Sequence, residues 1–142
     1  MWGRRRKIRS NRIDTLIGRK SELRGDIQFA GGLHIEGTVR GNVSAPEDER
    51  AILTVSDGGT IEGEVRVPNI VLNGYVAGDV YAQEHIELAA NARVTGNVYY
   101  HLLEMAMGAE VNGSLVHLEE GEAAQLQLAH ETPMKPSLEA TE

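Results

Sequence analysis

Apolar residues recur in a two-part pattern about every 16 or 17 residues between Leu33 and Leu118. Each repeat opens with two apolar residues one position apart and closes with apolar–x–Gly–x–apolar, as in IELAANARVTGNV at Ile86–Val98. Steps of two are typical of strands, because side chains along a strand alternate between its two faces. A short, regular period of this kind predicts a solenoid of strands wound around one apolar core.

Six copies of the pattern can be aligned on their closing glycines. The copies are Thr15–Ile27, Leu33–Val43, Leu53–Val65, Ile70–Val80, Ile86–Val98 and Leu103–Leu115. The glycines are Gly25, Gly41, Gly63, Gly78, Gly96 and Gly113, which are 16, 22, 15, 18 and 17 residues apart. Helix-pair repeats have longer periods, about 33 residues or more, so the pattern favours strands.

Strand alternation assigns the side chains of one repeat to the core or to solvent. The inward set is Ile86, Leu88, Val94 and Val98, and the outward set is Glu87, Arg93, Thr95 and Asn97. Gly96 has inward parity, which suits a tight corner or a close approach of backbone. The residues after the closing glycines are Asp26, Asn42, Glu64, Asp79, Asn97 and Ser114, mostly turn formers that we expect to hydrogen-bond their own backbone. A column of cation ligands is the alternative, but the paired-glycine calcium signature is absent.

The composition fits a narrow all-β domain. The chain has 142 residues, the size of one domain, and aromatic residues make up 4% of it, which suits a core too slim for many rings. There is no cysteine, so neither a disulfide nor a thiolate–metal site is expected, and a reducing cytoplasm is the natural compartment. The sequence has no apolar run long enough to predict a membrane span. It also has no apolar segment near its start that would predict a secretion signal.

Charge divides the chain into a basic arm and an acidic body. Residues 1–20 have a balance of +7, whereas the other 122 residues carry −14. Trp and several cations favour an anionic membrane surface, where each Lys or Arg contributes about 1 kcal/mol. The predicted membrane-binding residues of the arm are Met1, Trp2, Arg4, Arg5, Arg6, Lys7 and Arg9. A solvated tail and a nucleic-acid contact are the alternatives, and no nucleic-acid partner is expected.

The remaining segments outside the repeats are polar. The sequence predicts a flexible arm over residues 1–14, the solenoid over 15–118 and an acidic, proline-containing, disordered tail over 119–142. The insertion SAPEDERAI, residues 44–52, accounts for the longest glycine spacing and is predicted to be a loop at a corner. Such a loop is either neutral or a docking feature for a partner.

Histidines are the residues that invite an enzymatic interpretation. Those in the repeat region are His34, His85, His101 and His117, of which the last three are 16 residues apart and are expected near one corner. No nucleophile elbow or HExxH motif accompanies them, so exposed positions on the strands are favoured. We therefore predict no enzyme, no catalytic or metal site and no cofactor.

The two ends of the solenoid lack an obvious polar cap in the sequence. Soluble solenoids cover their terminal repeats, and uncovered ends stack into open filaments. The predicted polymer interface comprises Leu16, Ile17, Leu23 and Ile27 at one end and Leu103, Met105, Val111 and Leu115 at the other. A capped, monomeric binding solenoid is the less favoured possibility.

The repeats also resemble those of the bactofilins, a family of bacterial cytoskeletal proteins. The resemblance covers about residues 15–118 and rests on the V-x-G-[ND]-V closings, the entry TLIG…L-x-G-D-I and the block GGLHIEGTVRGNV. It implies a right-handed, three-sided parallel β-helix that polymerises end to end without nucleotide. It also implies a scaffold for cell-shape and cell-wall enzymes on the inner face of the cytoplasmic membrane.

A left-handed β-helix of the hexapeptide acyltransferase class is the main rival. That fold needs apolar residues at strict steps of six, which Leu33→Val39 and Ile70→Val76 satisfy. Other repeats step by eight, as in Leu53→Ile61. The mixed steps favour the cytoskeletal interpretation.

Overall fold

The computed structural model describes residues 13–119, which form sixteen short strands and no helix. All strand pairs are parallel, and they build a three-sided β-solenoid of about six turns. Face 1 consists of β1 (Thr15–Ile17), β4 (Gly32–Ile35), β7 (Ile52–Val55), β10 (Asn69–Leu72) and the second parts of β12 (Val80–Leu88) and β14 (Val98–Met105).

The other two faces repeat the same stacking. Face 2 consists of β2 (Glu22–Arg24), β5 (Thr38–Arg40), β8 (Thr60–Glu62), β11 (Tyr75–Ala77), β13 (Arg93–Thr95) and β15 (Glu110–Asn112). Face 3 consists of β3 (Ile27–Gln28), β6 (Val43–Ser44), β9 (Val65–Arg66), the first parts of β12 and β14, and β16 (Leu115–His117). We number the turns as rungs 1 to 6, spanning residues 15–28, 32–44, 52–66, 69–82, 85–100 and 102–117. The predicted all-β solenoid of about six rungs is confirmed.

The core consists of inward columns that run along the solenoid axis. In rung 5, the inward residues are those that alternation predicted, and Ile86, Leu88, Val94 and Val98 are fully buried. On face 2, for example, Val39, Ile61 and Val76 occupy one column in consecutive rungs. Each fully buried Val, Leu or Ile contributes about 1.5–3 kcal/mol of hydrophobic stabilisation, an upper estimate.

Turns of two residues explain why some repeats step by six and others by eight. Rungs with the longer step add a turn between faces 1 and 2, at residues 19–20, 57–58, 90–91 and 107–108. Because the extra residues are extruded at the corner, Leu53 and Ile61 still align with Leu33 and Val39 of the preceding rung. The mixed steps therefore leave the core in register.

The closing glycines form a stacked corner between faces 2 and 3. Gly96 has a φ of 147°, and a Cβ built on it would fall on the carbonyl oxygen of Gly78 in the preceding rung. The predicted close approach of backbone is therefore present at this corner. A second column of small residues lies between faces 1 and 2, where a Cβ on Gly74 would meet the carbonyl oxygen of Gly59.

Polar side chains beside the closing glycines link successive rungs. The Asp26 Oδ1 atom accepts a hydrogen bond from the Asn42 N–H at 2.9 Å, and Asn42 Oδ1 accepts one from the Glu64 N–H at 2.9 Å. Asn97 repeats the arrangement, because its Oδ1 accepts the Ser114 N–H at 3.0 Å. Our expectation that these residues bond their own backbone was wrong, since the nearest free donor belongs to the next rung.

The inserted segment between β6 and β7 folds back onto the solenoid. Asp48 Oδ2 accepts the Gly31 N–H at 2.7 Å, and Asp48 Oδ1 accepts the Arg50 N–H at 2.9 Å. These two backbone hydrogen bonds hold the pKa of the Asp48 carboxyl below its usual value. The buried methyl groups of Ala45 and Ala51 anchor both ends of the loop.

Candidate functional site at the two ends of the solenoid

The first rung presents an open strand edge on each face. Within residues 13–119, β1 pairs with β4, β2 with β5 and β3 with β6, and the opposite edge of each first-rung strand has no partner strand. A Cβ on Gly25 would meet nothing within 4 Å, whereas the equivalent atom in every later rung strikes the rung before it. The corner at Gly25 therefore has room for the backbone of a further rung, which residues 13–119 do not supply.

Inward side chains of the first rung are only partly covered. Leu23 is 40% exposed, although Val39, the next residue of the same column, is fully buried. Ile17 and Ile27 pack against the core but remain partly accessible. This end therefore displays apolar side chains beside strand edges that have no partner strand among residues 13–119.

The last rung has the same construction. Met105 is 44% exposed and Leu115 is 42% exposed, while their column neighbours Leu88 and Val98 are fully buried. Leu103 and Val111 are partly buried against the core. Each described end thus covers its inward side chains less completely than the middle rungs do, and the role of these residues in a polymer interface stays a prediction.

Leu16 differs from the other predicted interface residues. It is paired with His34 on the outer side of face 1, where it is 56% exposed, so it lies beside the end rather than in the cut core. Among the described residues, three further exposed aliphatic side chains were missed: Ile13, Leu102 and Met107. Leu102 lies next to Leu103, which the repeat assigned to the inward face, so the outward position of Leu102 agrees with strand alternation.

The lateral surfaces have different chemistry on each face. On face 2, Arg93 Nη1 lies 2.6 Å from Glu110 Oε1, and Arg40 Nε lies 3.0 Å from Glu22 Oε2. On face 3, the Arg66 guanidinium lies 4.0 Å from the centre of the Tyr81 ring. On faces 2 and 3, these charged side chains are therefore paired with residues of adjacent rungs.

An aromatic stack stabilises face 3 towards the last rung. The rings of Tyr81 and Tyr99 are 4.6 Å apart and nearly parallel, as the rung spacing imposes. Burial raises the pKa of the Tyr81 hydroxyl, and the nearby Glu64 carboxylate raises it further, so the phenol stays neutral. This stack therefore joins the fourth rung to the fifth.

The histidines do not form a single cluster. The His101 and His117 rings stack 6.1 Å apart, as the 16-residue spacing predicted, but His85 lies on face 1, opposite Leu102. His34 Nε2 is buried and lies 3.4 Å from Glu36 Oε2, without the geometry of a hydrogen bond. Within residues 13–119, no group of three or more His, Asp or Glu side chains is placed to bind a metal ion.

The predicted membrane-binding residues, Met1 to Arg9, lie outside the described residues, as does the tail beyond Glu119. The part of the chain described by the structure contains no helix long and apolar enough to cross a bilayer.

Known proteins match the solenoid and give it a family. Residues 15–116 match the profile described as "Bactofilin: Polymer-forming cytoskeletal". The chain is a member of the bactofilin family. It is similar to Bactofilin BacO of Myxococcus xanthus, with 30% identity over 102 residues, which are 72% of this chain and 78% of BacO.

A second relative shares only this region. Bactofilin BacP of Myxococcus xanthus is 26% identical over 104 residues, which are 73% of this bactofilin but 42% of BacP. No solved structure matches the chain. The family is cytoskeletal and polymer-forming, which agrees with a structural protein rather than an enzyme and with the open ends described above.

Proposed function

We propose that this bactofilin polymerises end to end through its first and sixth rungs, without a nucleotide. The observation that supports the proposal is the exposure of Leu23, Met105 and Leu115 in columns that are otherwise fully buried. Covering each of these side chains in a stacked joint is worth about 1–2 kcal/mol. The contact needs only apolar side chains and strand edges, so no bound nucleotide has a role in it.

Two methionines of the last rung provide a matched test. Met105 belongs to an inward column, whereas Met107 lies in the 107–108 turn and is 89% exposed. Met105→Glu would place a charge in the joint, where an unpaired charge is costly, and we expect it to give short oligomers or monomers. Met107→Glu should polymerise like the wild type.

The measurement is negative-stain microscopy with sedimentation in buffer free of nucleotide and divalent metal. Filaments of the wild type and of Met107→Glu, with loss of filaments in Met105→Glu, support the proposal. A wild type that sediments as a monomer at micromolar concentration contradicts it, as does equal assembly of both variants.

The basic arm is proposed to hold the filament on the inner face of the cytoplasmic membrane. Trp2 supplies an aromatic anchor, and each cation of the arm contributes about 1 kcal/mol on an anionic surface. One arm alone binds weakly, but a filament displays many arms on one rigid body, and avidity exceeds single-site affinity by about 10² or more. Attachment and polymerisation therefore reinforce each other.

Liposome co-sedimentation tests the role of the arm. The full chain should pellet strongly with anionic vesicles and release at high salt, whereas Met105→Glu and a form without residues 1–12 should pellet weakly. Similar pelleting of all three proteins would contradict the membrane proposal and leave the polymer proposal standing.

A membrane-bound filament is proposed to position cell-shape or cell-wall enzymes. The support is the family's cytoskeletal character together with lateral faces that stay free when the ends stack. In a bacterium that produces this chain, Met105→Glu should disperse the site of wall synthesis, and Met107→Glu should not. An unchanged growth pattern in both strains would count against this role.

A further inference from the structure

The outer surface of face 1 differs in charge from the other two faces. Its strands contain no Lys or Arg, whereas face 2 has three arginines and face 3 has one. The outward residues of its central column are Leu16, His34, Thr54, Val71, Glu87 and Glu104. Face 1 is therefore apolar or neutral in the first rungs and acidic in the last two.

The carboxylates of this face are not neutralised by cations of the solenoid. Within residues 13–119, Glu87 has no ion-pair partner, and Glu104, whose side chain is 69% exposed, meets only His85 Nε2 at 3.7 Å. On face 2, by contrast, Glu22, Glu62 and Glu110 each face an arginine. Face 1 also has exposed apolar side chains near both of its ends, Leu16 and Leu102, each 56% exposed.

The chain outside the described residues joins the solenoid at this face. The Asp14 N–H donates to the Gly32 carbonyl at 2.8 Å, and β1 is the first strand of face 1. The preceding twelve residues contain six cations, no acidic residue and the apolar Trp2 and Ile8. Their composition is complementary to face 1 in both charge and apolar character.

The preceding segment is also long enough to follow the whole face. Twelve extended residues span up to roughly 40 Å. Six parallel strands spaced by about 4.8 Å extend over roughly 24 Å. Residues 1–12 can therefore reach from the first rung to the carboxylates of Glu87 and Glu104.

We propose that residues 1–12 dock along the outer surface of face 1 of their own chain. The arginines and the lysine of the segment lie against Glu87 and Glu104, and its apolar residues cover Leu16 and Val71. Face 1 then competes with anionic lipid for the same segment. The proposal concerns the folded chain alone and does not depend on polymerisation or on membrane binding.

Disulfide trapping can locate the segment, because the natural chain has no cysteine. Gly3→Cys would be combined with Val71→Cys on face 1 or with Ala77→Cys on face 2. Val71 and Ala77 are small, half-buried outward residues of the same rung, so they are matched targets. Both lie within reach of Gly3, which is twelve residues before β1.

The expected result is an intrachain cross-link that forms about threefold or more faster with Val71→Cys than with Ala77→Cys, as two exposed ion pairs would give. This preference should disappear in about 0.5 M salt, which screens exposed charges. Equal rates for the two targets would overturn the proposal. Cross-links found only between chains would also overturn it, because the occupant of face 1 would then be a neighbouring copy.

Charge variants separate docking from simple tethering. Glu87→Gln with Glu104→Gln should abolish the preference for face 1. Glu62→Gln with Glu110→Gln removes the same number of carboxylates from face 2 and should leave the preference unchanged. If the two double variants behave alike, the docking of the segment on face 1 is wrong. The experiment contains no lipid, so its failure would leave the membrane proposal untouched.

Discussion

The middle and end rungs are built from one repeat, yet they differ in how well the inward side chains are covered. In the third and fourth rungs, Val55, Ile61 and Leu72 are fully buried between two neighbours. In the first and sixth rungs, Leu23 and Leu115 have a neighbour on one side only and remain about two-fifths exposed. An end rung of this kind can bury its inward side chains only when another rung covers it. The apolar contacts that stabilise the middle rungs are therefore the same kind of contacts that would stabilise a joint between two molecules.

Leucine truncation should separate the two regions most clearly. Leu72→Ala leaves a cavity in the middle of the core, and we expect it to lower the unfolding free energy of the monomer by about 2–5 kcal/mol. Leu115→Ala should lower it by less than about 1 kcal/mol, because solvent already reaches that side chain. Urea unfolding in the Met105→Glu background measures both effects. Equal losses would mean that the last rung is covered in the monomer.

Alanine at the closing glycines tests the same contrast in the backbone. Gly96→Ala adds a Cβ that collides with the carbonyl of Gly78, and it should cost about 2–3 kcal/mol in the monomer. Gly25→Ala meets open space, so only its φ of 131° is unfavourable, at a cost of about 1 kcal/mol. Gly25→Ala should instead impair filament growth, because its Cβ would lie where the neighbouring rung of the next molecule has to stack.

Gly58→Ala is the control for these two variants, because Gly58 also has a positive φ and open space around it but lies in a turn. It should match Gly25→Ala in thermal unfolding yet assemble normally. If Gly25→Ala assembles as well as Gly58→Ala, the first rung is not part of the contact between molecules.

Acid should weaken the attachment of the inserted loop. Asp48 has a folded pKa below its unfolded value, so its contribution is complete above about pH 4 and is lost as the pH falls through the folded pKa. Asp48→Asn should flatten the pH dependence of urea unfolding below about pH 4. Asp57→Asn, in an exposed turn, should not.

The smallest effect is expected on the outer side of face 2. Thr95 accepts a hydrogen bond from the exposed Tyr75 hydroxyl at 3.2 Å, and this contact contributes little in water. Thr95→Ala should change the unfolding free energy by less than about 0.5 kcal/mol, as surface substitutions usually do. A larger loss in thermal unfolding would mean that the outward parity of this residue is wrong.

The inward residues of the core could be predicted from the sequence, because alternation along a strand depends only on neighbouring residues. Ile86 and Val94 could be assigned inward from their own repeat, and Gly96 from its place in the closing motif. Contacts between rungs were harder to predict, since Asn97 bonds a residue 17 positions away that the repeat alone does not place beside it. The adjacent leucines followed the same alternation, because the repeat assigned Leu103 inward and Leu102 lies exposed beside it.

The second column of small residues was missed for a related reason. Gly59 and Gly74 share a corner, but the turns of two residues vary the distance between such glycines and the opening strand. Prediction of the end-surface residues was limited in the same way. Their columns follow from alternation, whereas the outward position of Leu16 depends on its register with His34.

Hydrogen exchange of wild-type filaments and of Met105→Glu tests most directly whether the ends are the contact surfaces. On assembly, amides of residues 22–28 and 110–117 should gain protection, because their open strand edges become covered, while residues 60–66 in the middle should change little. Equal protection in all rungs, or a gain confined to the lateral faces with unchanged ends, would contradict end-to-end stacking.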